Sequence, residues 1–476
     1  MPKPNPDPIE FRVERIVTNV ADQLGTEPVP KLLLRFSLPA ITGMLVNALY
    51  NIVDRIFVGR GVDEVALGGL SLVLPLMIIF MAFAMLFGMG AANMISMRLG
   101  EGKRGDAEQA LNHCFWLLMI CGAIIMAAGL IFMDPILSRL GAQEGSTALE
   151  YSRRYFQIIL YGSIFSMVGF GFSHCTRAQG FPKVTMVSMF IGAGLNTILD
   201  PIFIFVFKWG VEGAAWATII SQLVSAIWIL YFSFSDRAVI RLNLKKFRLS
   251  PAITWQIMVF GSSQFLLQLI MSGVQLLMNN SMGKYGAAAL GVENGGDIAL
   301  TGMNIAGSIT MVIMMPIFGI NQGAQPILGY NYGAKHFRRV LQAYLLAIGA
   351  ATGICLVGTI FTQIFPVALV YAFTPDGSPA LLEFAPWAMR ITTLLLPVAG
   401  FQIVSSNVFV VTGRPKTSIL LSMLRQFIVL IPCILIFGRL WGLRGVIAAT
   451  PVADGFSFIV TGILIFFELK KLRAAS

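Results

Sequence analysis

Apolar stretches of about twenty residues or more recur along the chain from near Leu32 to near Glu468, and the polar segments between them are short. Such a stretch crosses a bilayer as a helix, because within hydrocarbon every backbone N–H and C=O must be satisfied inside its own segment. The chain therefore reads as an all-α polytopic membrane protein with about twelve transmembrane helices, near 32–58, 65–97, 108–133, 150–176, 184–207, 212–234, 253–282, 287–325, 337–365, 381–411, 416–437 and 444–468. Its charged fraction of 12% agrees, being under half of the ~25% usual in soluble domains. The net charge of +11 does not call for nucleic acid, since no segment is long and polar enough to fold into a basic soluble domain. Five scattered cysteines give neither a disulfide framework nor a zinc site, and His113, His174 and His336 read as interfacial or loop residues. No Walker-type glycine run, GxSxG or loop cluster of acids and histidines is present, so an enzyme or an ATP-driven pump is not expected and no cofactor is implied.

Positive charge orients the helices. Of 34 Lys and Arg, 23 fall in the N-terminal arm, the C-terminal tail and the loops after even-numbered helices, and eight in the loops after odd-numbered ones. Both termini are therefore expected in the cytoplasm of a plasma (inner) membrane protein. The sequence divides into an arm over 1–30, an N-lobe over 31–235, a basic linker over 236–250, a C-lobe over 251–469 and a tail over 470–476. The arm has no apolar core or cleavage site of a signal peptide, and Phe11 to Val20 could lie on the membrane surface as an amphipathic helix.

The two lobes look like copies. Phe87-Gly88-Met-Gly90 corresponds to Phe318-Gly319-Ile-Asn321, Phe181-Pro182-Lys183 to Arg414-Pro415-Lys416, and Trp209-Gly210-x-x-Gly213 to Trp441-Gly442-x-x-Gly445, at offsets of 231 to 233. Six helices per copy give both copies the same membrane orientation, a parallel repeat common among secondary transporters.

Polar residues inside the membrane then stand out. In the fifth apolar stretch Asn196 precedes Asp200 by one helical turn, and Pro201 withholds a donor from the carbonyl four residues back, which makes an oxygen-rich face suited to Na+ or H+. Helix one carries Asn47, Tyr50, Asn51 and Asp54 on one face, and helix six carries Thr218 and Gln222. At ~1.5 Å per residue, Asp54, Asp200 and Thr218 share one depth. At the corresponding places the second lobe has approximately Met278 and Cys433, so the copy lacks these acids. Glu293 and Asp297, one turn apart on helix eight, could line the cavity, and loop-proximal or Arg-paired structural roles stand equally open for them. Pro39 and Pro201 are candidate hinges.

Asn51-x-x-Asp54-x-x-x-Val58-Gly59, Gln179-Gly-x-Pro-Lys183 and Asn196-x-x-x-Asp200-Pro201 followed by Gly210-x-x-Gly213-Ala214 together resemble the multidrug and toxic compound extrusion (MATE) family, and the resemblance spans nearly the whole chain. It implies two six-helix lobes forming a V, alternating access, and export of lipophilic or cationic small molecules in exchange for H+ or Na+, a role tied to antibiotic resistance. It also implies that Asp54, Asn196, Asp200 and Thr218 form the cation site of the N-lobe. No oligomer is implied, and the expected partners are small-molecule substrates and membrane lipids. The alternative is a lipid-linked oligosaccharide flippase of the same superfamily, which would use basic residues such as Arg55, Arg390 and Arg425 to hold a pyrophosphate.

Overall fold

The computed structural model describes residues 22–475 apart from 62–63, 140–146, 293 and 376, and at 51–52, 54–56, 58–61, 64–69, 71–72, 139, 148 and 246 it describes the backbone alone. The side chains of Asn51, Asp54 and Arg55, all of Glu293, and the stretch Phe11 to Val20 lie outside the described residues. The described residues are mostly helical, without strands. In order they form α1 (Val29–Gly61), α2 (Glu64–Gly100), α3 (Arg104–Ile131), α4 (Thr147–Ala178), α5 (Pro182–Pro201), α6 (Gly210–Phe234), α7 (Pro251–Ala289), α8 (Gly295–Gly333) and α9 (Phe337–Ile364). The next span, α10, is a pair, Pro379–Thr393 and Leu396–Val411, bent by 43°. The segment Pro415–Ala474 passes through a π-helical turn at Leu424–Leu430 and breaks at Gly442, whose φ of 60° and ψ of −137° are non-helical, so it is two spans: α11 ending at 441 and α12 over 443–474. Twelve spans result, as the apolar pattern predicts.

The repeat is visible in the backbone. Gly180 and Gly413 both take positive φ, 101° and 75°, just before Pro182 and Pro415 start α5 and α11. Gly210 and Gly442 do the same at 58° and 60° where α6 and α12 begin. A side chain at these four places would be strained, and proline at the first helical turn loses no bond, so the duplicated Gly and Pro set matching helix starts.

The described residues form two compact units: unit 1 runs to Phe265 and takes in Gln325–His336, and unit 2 comprises Leu266–Ala324 and Phe337–Ser476. The division does not follow the basic linker, because glycines hold parts of the second sequence half in unit 1. A Cβ on Gly261 of α7 would sit 1.8 Å from the Leu86 carbonyl oxygen of α2, and one on Gly90 of α2 would sit 2.0 Å from that of Ile257. Gly100 and Gly333 interlock in the same manner, 2.0 Å from Tyr330 O and 2.1 Å from Met97 O. Lipid gives helices no hydrophobic reason to associate, so this backbone-to-backbone approach through small residues is what joins them. A buried Gln325 Nε2 also donates to Asn93 Oδ1 at 2.5 Å.

The linker is likewise part of unit 1. Its backbone N–H groups at Ile240, Asn243, Arg248 and Ser250 donate to Gln179 Oε1, Asn112 Oδ1, Gln109 Oε1 and His113 Nε2, at 3.2, 3.0, 3.2 and 2.9 Å. Because His113 Nε2 accepts, its Nδ1 carries the proton and donates to Gln109 O at 2.7 Å. This corrects the reading of the histidines: His113 and His174 are buried in α3 and α4, and His113 anchors the linker. The end of the arm is docked: Leu24 is buried, and Asn331 Nδ2 donates to its carbonyl at 2.9 Å.

Candidate functional site in unit 1

A cavity of about 440 Å³ opens among α1, α2, α4, α5 and α6 of unit 1. Asn47 and Tyr50 reach it from α1, Asn196 from α5, and Thr218 and Gln222 from α6, as the polar stripes predict. The chain holds these helices close: a Cβ on Gly43 of α1 would meet Met189 Sδ of α5 at 2.4 Å, and one on Gly192 of α5 would meet Ser225 Oγ of α6 at 2.6 Å. Ser188 and Ser225 lock α5 to α6 reciprocally, each hydroxyl donating to the other's carbonyl, at 3.2 and 2.9 Å.

Behind the lining lies the acid. Asp200 is fully buried, and Asn196 Nδ2 donates both to Asp200 Oδ1 at 3.2 Å and to Thr218 Oγ1 at 3.4 Å. Asn196 Oδ1, turned away from these bonds and buried, has no hydrogen-bond donor. The backbone adds to this acceptor surplus. Pro201 offers no N–H to the Thr197 carbonyl, the Ile202 N–H turns to Leu199 O, and the chain continues as a π-helical turn over Ile202–Val206. The negative end of the α5 dipole points to the same place. A buried carboxylate, an amide oxygen without a donor and a hydroxyl are a donor set for a hard cation or a proton.

Three parts of the sequence reading are changed. Asp297 does not line the cavity: it is exposed in the first turn of α8 in unit 2, where an acid complements the helix dipole. Arg425 is not a free cation, since its Nε lies 2.5 Å from Asp454 Oδ1. The cavity is also richer in hydroxyls than expected. Ser163, Ser166 and Ser173 line it from α4, with Ser188, Ser221 and Ser225 opposite, and Met77, Met81, Met167 and Met189 complete a deformable wall. The serines of α4 recur at helical spacing, a signal present in the sequence.

The MatE family model matches residues 39–202 and 264–436. The chain is similar to the multidrug export protein MepA of Staphylococcus aureus (strain MRSA252), with 27% identity over 449 residues that cover 94% of this chain and 95% of that protein. Among solved structures it is similar to the outward-facing conformation of a multidrug resistance MATE family transporter of the MOP superfamily, with a TM-score of 0.87 and 28% identity over 95% of this chain and 98% of that one. It is equally similar, at a TM-score of 0.87 and 27% identity over the same shares, to a MOP superfamily transporter from Pyrococcus furiosus whose binding pocket is described as reversed in polarity and suggestive of a different function. The family match covers most of the sequence and both halves of the repeat, and the chain belongs to the MATE family of multi-pass membrane transporters.

Proposed function

We propose that this protein is an antiporter that exports lipophilic or cationic small molecules in exchange for H+ or Na+, with both termini in the cytoplasm. The observation that carries the reading is the buried Asn196–Asp200–Thr218 cluster, rich in acceptors and set directly behind a cavity that Asn196 and Thr218 themselves line. The similarity to MepA and to multidrug resistance transporters supports the substrate class. The cavity's mix of methionine, phenylalanine and serine suits ligands with an apolar body and a delocalised charge.

The coupling follows from charge. With Asp200 ionised, the cavity attracts a cation; once a proton or Na+ neutralises the carboxylate, that attraction goes and the cationic ligand leaves. Asp54, carried by α1, is proposed as the second acid of this site, and α1 contains Pro39, where the helix lacks one backbone bond and can repack. The lipid-linked flippase is less well supported, because Arg425 is engaged by Asp454.

The test is efflux of ethidium from proteoliposomes under an imposed pH or Na+ gradient, comparing the native protein with Asp200→Asn and Asp54→Asn. Transport driven by one gradient and reduced at least tenfold in both variants is expected. Undiminished gradient-driven efflux by correctly inserted Asp200→Asn would overturn the reading.

A further inference from the structure

We infer that unit 2 contains a second cation-binding site, the repeat equivalent of the unit 1 cavity, which the protein holds closed with its own Arg425. At the repeat offset of 232 to 233, Arg425 corresponds to Gly192, Gln426 to Ala193, Asp454 to Gln222, Ser457 to Ser225 and Gln402 to Gly169. All five of those unit 1 residues line the cavity. Where unit 1 has a glycine facing small polar groups around open space, unit 2 has a guanidinium bound to a carboxylate.

Besides this pair, α12 and α10 carry further buried polar groups. Asp454 is nearly fully buried, whereas the Arg425 side chain keeps 28% of its surface exposed and so can be reached and displaced. One turn beyond Asp454 on the same face of α12 lies Ser457, then Thr461, both completely buried and both with hydroxyl oxygens that have no hydrogen-bond partner. Gln402 on α10 is 5% exposed with Oε1 likewise unpartnered, beside Phe401, which packs edge-to-face on Phe458 of α12 at 5.1 Å. Buried polar atoms are rarely left without partners, and three of them in unit 2, two on the helix that carries Asp454, point to a place that fills with water or ligand. Arg425 rides on the π-helical turn Leu424–Leu430, an irregularity frequent at functional sites.

The ligand class follows from what Arg425 is: a planar, delocalised, weakly hydrated cation on an apolar stem. A lipophilic monovalent cation presents the same charge with more apolar surface, so it competes for Asp454 once Arg425 swings away. This inference rests on the reading that such cations bind unit 1, and the test separates the two.

Equilibrium binding of tetraphenylphosphonium to purified protein in detergent would be compared among the native chain, Arg425→Ala, Arg425→Gln and Arg425→Ala/Asp454→Asn. The expected result is one additional bound cation per chain in Arg425→Ala relative to native, lost again in the double variant. Arg425→Gln keeps a hydrogen-bond donor beside Asp454 and serves, with the same expected gain, should Arg425→Ala fail to fold. No gain in a folded single variant, or a gain that survives Asp454→Asn, would overturn the inference. Absence of binding to the native chain bears on unit 1 alone, since the count that matters here is the increment.

Discussion

Unit 1 and unit 2 share helix starts set by the same Gly and Pro, yet their interiors differ at matching places. In unit 1, Gly192, Gln222 and Ser225 border a cavity with Asp200 and Asn196 beside it. In unit 2, the corresponding Arg425 and Asp454 form an ion pair, with the buried hydroxyl of Ser457 one helical turn on, and a second pair, Arg414 with Glu468, joins the start of α11 to the last turns of α12. Capping and turn positions admit few residues, because positive φ and a missing donor restrict them, so a duplicated scaffold keeps them. Interior polar positions carry no such backbone constraint and are free to diverge into an open acidic site in one copy and a self-neutralised one in the other.

The comparison can be broken first at the scaffold. Gly261→Val places side-chain atoms on the Leu86 carbonyl of unit 1, and a loss of more than about 3 kcal/mol is expected, seen as failure to recover monodisperse protein. In unit 2 the closest contacts at Gly400 are looser, 3.0 Å to Ala351 O and Cys355 Sγ, so Gly400→Ala should fold with a lowered Tm. Equal tolerance at both sites would contradict the claim that backbone approach through glycine is what draws α7 into unit 1.

Next comes the interior of unit 2. Removing only the arginine, as in Arg425→Met, strands a buried carboxylate and should cost about 3–5 kcal/mol, whereas Arg425→Met with Asp454→Leu should match or exceed the native Tm. If the single and double variants melt together, the pair is not desolvated enough to behave as described.

The smallest effect is expected at the loop after α2. Burial would raise the Glu101 carboxyl, but hydrogen bonds and charge from Lys103 and Arg98 outweigh it and hold the group below its ordinary range. A depressed acid stabilises the fold above its unfolded pKa, and that stabilisation is lost as pH falls through the folded value. Glu101→Gln should therefore lower Tm slightly at pH 7, and the difference should shrink as the pH is lowered through the acid range. A pH-independent difference between the two would assign the effect to lost packing instead.

Much of the site was legible in sequence because its members sit one turn apart on single helices. Asn196 and Asp200 meet by spacing alone, and Asn47, Tyr50 and Gln222 fall on faces that can be drawn without coordinates. The role of Asp297 stayed open in the sequence because an acid near an apolar stretch reads alike whether it faces a cavity or caps a helix start, and the structure puts it at the helix start. The linker was recognised by its basic charge and its place between the repeats, and its attachment depends on acceptors at Gln109, Asn112, His113 and Gln179, far away in sequence.

Twelve apolar spans, their duplication and an acid and an amide one turn apart on α5 follow from the sequence alone, because apolar stretches of this length cross hydrocarbon as helices and helical period orders residues locally. Tertiary contacts were needed to tell which glycines interlock across helices, that one amide, Asn196 Nδ2, bonds both Asp200 and Thr218, and that Arg425 pairs with Asp454. Those outcomes depend on distances between segments tens to hundreds of residues apart, which neither composition nor periodicity contains.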